Sequence, residues 1–180
     1  MPTGSPATTA TVEISLTECL VLALVAEGPT HGFAVARLTA DDGPVGRVYR
    51  VPRPLVYRAI DRLALAGLVE AVRVEPGNRG PQRTLFTVTE EGQLLVDDWL
   101  SSPVRHARDV RTELLMKLAL LDRLGADAGP LLAAQHEALG PIVEALAQQQ
   151  QLARGFDRTL AAWRHECTAS ALRFVEEMQA

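Results

Sequence analysis

Apolar residues recur along the chain in two rhythms, and the order of those rhythms predicts its elements. From Leu16 to Ala26 almost every position is apolar (LTECLVLALVA), so the helix predicted there is buried on all sides. Ser15-Leu16-Thr17-Glu18 has the capping-box spacing that opens such a helix, the Ser15 hydroxyl accepting from the Glu18 amide and the Glu18 carboxylate reaching back. Glu27-Gly28-Pro29-Thr30 ends it, with Gly28 as terminator and Thr30 as N-cap of a short second helix over His31 to Ala40. Beyond Asp41-Asp42-Gly43-Pro44, the run Val45 to Tyr49 is a candidate short strand. Arg53 to Val69 (RPLVYRAIDRLALAGLV) then returns to helical spacing. Val56, Ala59, Ile60 and Leu63 fall on one side and Tyr57, Arg58, Asp61 and Arg62 on the other, while Pro54 suits the first turn and Gly67 ends the helix. Its length of about 20 Å is short enough to lie in a DNA major groove.

The period next falls to two. Leu68 to Val74 and Thr84 to Val88 read as strands, and Pro76-Gly77-Asn78-Arg79-Gly80-Pro81 as the tip of the hairpin that joins them. Thr89 caps a fourth helix over Glu90 to Leu100. Three helices followed by a hairpin with a basic tip make a winged helix-turn-helix arrangement, here residues 15–100, preceded by an arm of residues 1–14 expected to be flexible. Ser101-Ser102-Pro103 is the candidate domain boundary. Residues 104–180 are helical in pattern: an apolar helix over Val110 to Leu124, a break at Gly125 to Pro130, and a middle helix that Pro141 must kink or split. Leu132, Leu139, Leu146 and Ala153 repeat at heptad spacing, and Leu160, Trp163, Cys167, Ala171, Phe174 and Met178 step by threes and fours, as in a helix seam. Such a seam either closes a hairpin on itself or joins two copies of the chain. Because the winged part has a core of its own, the expectation is a helical dimerisation domain.

The formal charge of -4 is at odds with a nucleic-acid partner until it is resolved along the chain. Between Arg47 and Leu85, eight arginines (47, 50, 53, 58, 62, 73, 79, 83) stand against Asp61, Glu70 and Glu75, a local +5 that leaves -9 for the remainder. Phosphates respond to the local field, so a cationic surface on an acidic body suits double-stranded DNA. The first fourteen residues lack a basic and apolar leader pattern, and the longest apolar run, Cys19 to Ala26, is too short to span a bilayer. The expectation is a cytoplasmic protein with no membrane partner. Cys19 and Cys167 both lie in apolar helical patterns, as buried thiols or as a redox sensor. Chemistry finds little footing: His165 and Cys167 point in different directions on a helix, the four histidines and Asp41-Asp42 lack metal-ligand spacing, and no glycine-rich loop precedes a helix. Neither a catalytic site nor a metal or cofactor is expected.

Certain stretches carry a family resemblance: Glu27-Gly28-Pro29-Thr30-His31-Gly32-Phe33; Leu55 through Leu63 ending in Ala66-Gly67-Leu68-Val69; Gly80-Pro81-Gln82-Arg83 through Phe86-Thr87-Val88-Thr89-Glu90-Glu91-Gly92; and Glu113-Leu114-Leu115-Met116-Lys117-Leu118 in the tail. In this order and spacing they resemble the PadR family of bacterial transcriptional regulators, in its longer-tailed subgroup, over nearly the whole chain from Leu16. The resemblance implies a homodimeric, sequence-specific DNA-binding regulator, a repressor rather than an activator, whose hold on DNA is loosened by a small aromatic or phenolic effector. Paired recognition helices imply a pseudo-palindromic operator with half-sites about one helical turn apart. The rival from another class is a protein-interaction scaffold whose winged domain no longer holds DNA.

Candidate DNA contacts are Tyr57, Arg58 and Arg62 on the recognition helix and Arg79 and Arg83 on the wing. Arg53 joins them, meeting a guanine edge or a phosphate, and Leu55, meeting a thymine methyl or merely packing. His31 either starts its helix or also approaches a phosphate. Where the family opens its recognition helix with a small polar cap, proline, glycine and threonine, this chain has Pro52-Arg53-Pro54-Leu55, so the operator sequence does not transfer from relatives. Trp99 and Trp163, the two tryptophans, either line an effector pocket between the winged domain and the dimer or fill the dimer core.

Overall fold

The computed structural model describes residues 14–76 and 82–179, so residues 1–13 of the N-terminal arm and residues 77–81 of the wing tip, Arg79 among them, lie outside the described residues. Helix α1 (Leu16–Ala26) opens with the predicted box: the Ser15 amide donates to Glu18 Oε2 at 2.7 Å and the Glu18 amide to Ser15 Oγ at 3.4 Å. Leu20 to Val25 are buried, and α1 is the post around which the winged part packs. Helix α2 (Gly32–Leu38) begins one residue later than the sequence suggests. His31, not Thr30, is its N-cap, its Nδ1 accepting from the Ala34 amide at 3.0 Å. Thr30 instead exchanges both backbone hydrogen bonds with Phe86, at 3.0 and 2.7 Å, an isolated antiparallel bridge beside the hairpin. A residue whose amide and carbonyl are both held in a bridge is set back from the helix start.

The expected strand at Val45 to Tyr49 is instead a set of turns. The amides of Val45 and Gly46 both donate to the Leu38 carbonyl at 3.2 Å, so this backbone is occupied in closing the end of α2 and Val45 is buried. Helix α3 (Arg53–Leu65) buries Val56, Ala59, Ile60 and Leu63, as its spacing predicts, and Gly67 follows at φ 74°, a left-handed conformation that favours glycine. Strands β1 (Val69–Glu75) and β2 (Arg83–Val88) form an antiparallel pair from Val69 opposite Val88 to Glu75 opposite Arg83, with a slip between Ala71 and Arg73. Thr89 caps α4 (Glu90–Ser101) by accepting from the Gly92 amide at 3.1 Å. The fold is mainly helical with one two-stranded hairpin, a winged helix-turn-helix followed by a helical tail.

The tail departs from its sequence pattern in three ways. The helix expected from Val110 is preceded by one turn, α5 (Ala107–Asp109), and its first part, Val110–Leu114, is a wide π-helical turn leading into α6 (Leu115–Leu124). Helix α7 (Gly129–Leu152) runs unbroken through Pro141, so the proline does not split it. Helix α8 (Gly155–Gln179) folds back along α7, but its buried stripe is Ala161, Thr168, Ala171 and Val175. Of the expected seam, Ala171 alone faces fully inward, whereas Trp163 is 68% exposed and Cys167 and Met178 are exposed too. Small residues let two helices approach closely; Trp163 and Met178 lie on the outer face, while Leu160 and Phe174 are half-buried. Leu132 and Leu139 of the heptad are buried, Leu146 is half-buried, and Ala153 lies just past the end of α7.

Around Pro103 the chain is held from both sides. Lys117, 1% exposed, donates to the Ser102 carbonyl at 2.8 Å, lies 3.1 Å from Glu113 Oε1 and stands 5.1 Å from the centre of the Trp99 ring. Trp99 Nε1 donates to the same Glu113 oxygen at 2.9 Å. One residue on, the Gln135 side chain accepts from the Val104 amide at 2.7 Å and donates to its carbonyl at 3.0 Å. Buried side chains form one cluster from Leu20 through Val104 and Val110 to Leu139 and Val175, so the core is continuous across the expected boundary.

Of the two cysteines only Cys19 is inside; burial pushes its thiol up to about 12, with the Glu113 charge adding to the shift, while Cys167 lies on the outer face of α8. Two outcomes follow. Lys117→Met leaves Glu113 and the Ser102 carbonyl without their buried partner and lowers stability by about 3 kcal/mol in chemical denaturation. Cys19 resists alkylation at mildly alkaline pH in the native protein and reacts once the chain is unfolded, as peptide mass mapping will read.

Candidate nucleic-acid interface

The outer face of α3, the start of α2 and the beginning of β2 share one cleft of about 420 Å³, bordered by His31, Phe33, Arg53, Tyr57, Gln82 and Arg83 among others. Its centre is the Phe33 ring. The Arg53 guanidinium stands 5.2 Å from the ring centroid and that of Arg83 5.5 Å, one reaching in from the recognition helix and the other from the wing. Both distances lie within the range of cation–π attraction. Arg53 also lies 5.5 Å from the Tyr57 ring and donates to its hydroxyl at 3.4 Å. Tyr57 packs against Gly32 so closely that a Cβ there would lie 2.8 Å from Tyr57 Cε1; glycine is what allows α2 and α3 to meet at this point.

Charge at this face is distributed unevenly. Arg50 is paired with Asp41 at 3.1 Å, Arg73 with Glu75 at 2.6 Å and Arg62 with Glu18 at 2.9 Å, whereas Arg47, Arg53, Arg58 and Arg83 form no ion pair among the described residues. Arg62, counted from sequence with the DNA contacts, therefore has a structural partner: the carboxylate that closes the box of α1. Its separation of 44 positions from Glu18 hides the pairing from any local pattern. Tyr57 and Arg58 face solvent, and Leu55 is 42% exposed at the start of α3, more open than a core position. His31 caps α2 and lies 3.3 Å through Nε2 from Arg83. Phe33 is not among the contacts expected from sequence; the available signal was its position off the Val35 and Ala36 stripe, which leaves an aromatic ring on the outer side of α2.

Trp99 and Trp163 do not share a cavity. Trp99 is engaged with Glu113 and Lys117 at the junction, while Trp163 lines a separate groove of about 610 Å³ with Ile142, Leu146, Arg105, Arg111 and Arg164. Among the described residues no cluster of three or more metal-ligating side chains occurs, and no helix is long and apolar enough to cross a membrane.

Glu18 underpins the interface electrostatically. Burial pushes its carboxyl up, but hydrogen bonds from the Ser15 amide and hydroxyl, together with the Arg62 charge, outweigh that and hold it below the ordinary carboxylate range.

Residues 21–98 match the model of the Transcriptional regulator PadR-like family. Among solved structures, the chain is similar to Bacillus subtilis PadR in complex with operator DNA, at 16% identity over 91% of this chain and 97% of that one, with a TM-score of 0.46. It is similar also to smu.1604c from Streptococcus mutans, at 14% identity over 89% and 96% with a TM-score of 0.43. A PadR family transcription regulator from hypervirulent Clostridium difficile is matched at 12% identity, over 62% of this chain and 100% of that one, with a TM-score of 0.40. No curated protein sequence matches at a significant level.

A carboxyl that titrates lower in the folded than in the unfolded state stabilises the fold fully above its unfolded value, and the gain is lost as pH falls through the folded one. Stability therefore declines on acidification below the ordinary carboxylate range. Glu18→Gln removes part of that acid dependence in urea titrations run at a series of pH values.

Proposed function

Residues 21–98 form a PadR-like family domain, and from that premise we propose that the chain is a homodimeric transcriptional regulator, a repressor, that binds a pseudo-palindromic double-stranded DNA operator. In this reading it is a regulator and not an enzyme. Residues 15–100 hold DNA and residues 104–180 hold the second copy. The observation that carries it is the set of guanidinium groups without an ion pair among the described residues, Arg53 and Arg58 on α3 and Arg83 on β2, in the cationic stretch of an otherwise acidic chain. Arg58 and Tyr57 enter the major groove, Leu55 and Arg53 read at the start of the helix, and Arg83, Arg79 and His31 address the backbone beside it. Arg62 serves mainly to hold Glu18.

Support for the dimer comes from the outer face of α8, where Phe156, Trp163 and Met178 are 77%, 68% and 49% exposed, and from the end of α7, where Leu152 is 83% exposed. A solvent-facing row of this kind on a two-helix tail fits a second copy of the same chain. The groove beside Trp163 offers apolar walls with guanidinium groups at the rim, which suits a small aromatic effector placed where it would disturb that contact.

Mobility-shift titration with the promoter of the adjacent operon tests the reading directly. Specific retention is expected, with log affinity falling linearly against log salt; Arg58→Ala or Arg83→Ala lowers the slope by about 0.9 each. Arg62→Ala leaves the slope nearly unchanged. A missing shift at low salt, or a flat salt dependence, favours the protein-interaction scaffold. Phe156→Asp combined with Met178→Asp yields a monomer in analytical ultracentrifugation if α8 carries the dimer contact.

A further inference from the structure

His31 and Arg83 present a contradiction that an anion resolves. His31 Nδ1 accepts the Ala34 amide at 3.0 Å, so in the neutral imidazole the proton sits on Nε2, and that nitrogen is a donor. The group 3.3 Å from Nε2 is an Arg83 guanidinium nitrogen, and a guanidinium has no acceptor to offer. Two donors thus face one another at the mouth of an open cleft, with no ion-pair partner for Arg83 among the described residues. The Phe33 ring holds the arginine there from the other side, at 5.5 Å.

We propose that His31 Nε2–H and the Arg83 guanidinium together form a seat for one phosphate group, with the Phe33 ring holding the arginine in place. One phosphate oxygen accepts from both donors, so that the wing and the start of α2 close on the same phosphodiester. Arg53, on the same ring at 5.2 Å, couples the seat to the recognition helix. Phe33 is a positioning residue: it touches no phosphate itself but fixes the directions of two guanidinium groups. The seat deepens the DNA-binding reading and rests on it for the source of the phosphate.

Two measurements separate the seat from that reading. In the first, the full chain is titrated with inorganic phosphate at constant ionic strength while the His31 side-chain nitrogens are followed by NMR. The expected result is a saturable movement of the Nε2 signal that chloride does not produce, and that is about tenfold weaker in Arg83→Gln, as for loss of a charge-assisted hydrogen bond. Phe33→Leu weakens it severalfold and Phe33→Tyr restores it. No saturable movement, or an equal one in Arg83→Gln, overturns the seat.

In the second, affinity for a mixed-sequence duplex at low salt is measured for His31→Asn, Arg83→Gln and the double variant. Asparagine preserves the N-cap and removes the ring donor. His31→Asn is expected to weaken binding about tenfold alone and scarcely at all when Arg83 is already replaced. Equal losses in both backgrounds overturn the shared phosphate while leaving DNA binding intact. Conversely, a wild-type chain that responds to phosphate but ignores the duplex keeps the seat and defeats the DNA reading.

Discussion

The ammonium group of Lys117 must be satisfied without water where the chain passes from the wing into the tail, and much of the architecture is arranged to do so. A buried cation left unpaired is among the most costly groups a core can hold. Three partners answer it: the Glu113 carboxylate, the Ser102 carbonyl and the face of Trp99. Each comes from a different segment, so satisfying one charge fixes α4, the Ser102–Val104 connection and the π-helical turn relative to one another. Gln135 then takes both backbone groups of Val104 and ties α7 to the same connection. The Ser102–Val104 connection is thus a joint held from both sides.

That rigidity matters for a surface whose work is geometric. A guanidinium on a long, flexible stem loses rotamer entropy whenever it is fixed against a partner, and aromatic rings already holding it reduce that loss. Phe33 does this for Arg53 and Arg83 at once, and Tyr57 adds to it for Arg53. The neighbouring Arg62 shows another use of the same residue type: from a largely exposed position its Nε lies 2.9 Å from the buried Glu18 carboxylate, pairing α3 with α1. Position on the helix separates the two roles, since Arg62 lies beside α1 and Arg58 does not.

Local signals along the chain set the elements. Capping residues, the apolar stripes of α1 and α3, the change of period at Leu68 and the turn residues after Val74 are local signals, and the helices and hairpin of the winged part fall within a residue or two of where they place them. The cationic bias of that part is legible in the same way, because charge along a short stretch needs no folding to be counted. Where local signals misled, a long-range partner had intervened: Thr30 was drawn into a bridge with Phe86, and Val45 to Tyr49 were engaged by the end of α2.

Which arginines lack an ion pair among the described residues, and what holds them, follows from packing alone. Glu18 and Arg62, His31 and Arg83, and Phe33 with its two guanidinium groups are far apart in the chain and meet through packing. Packing likewise decides that Trp99 belongs to the joint and Trp163 to the surface, and that the inner seam of α8 is built of small residues. Helical spacing identifies a stripe of side chains but not its depth, because depth depends on how closely the neighbouring helix approaches, and that is set by side chains elsewhere in the chain.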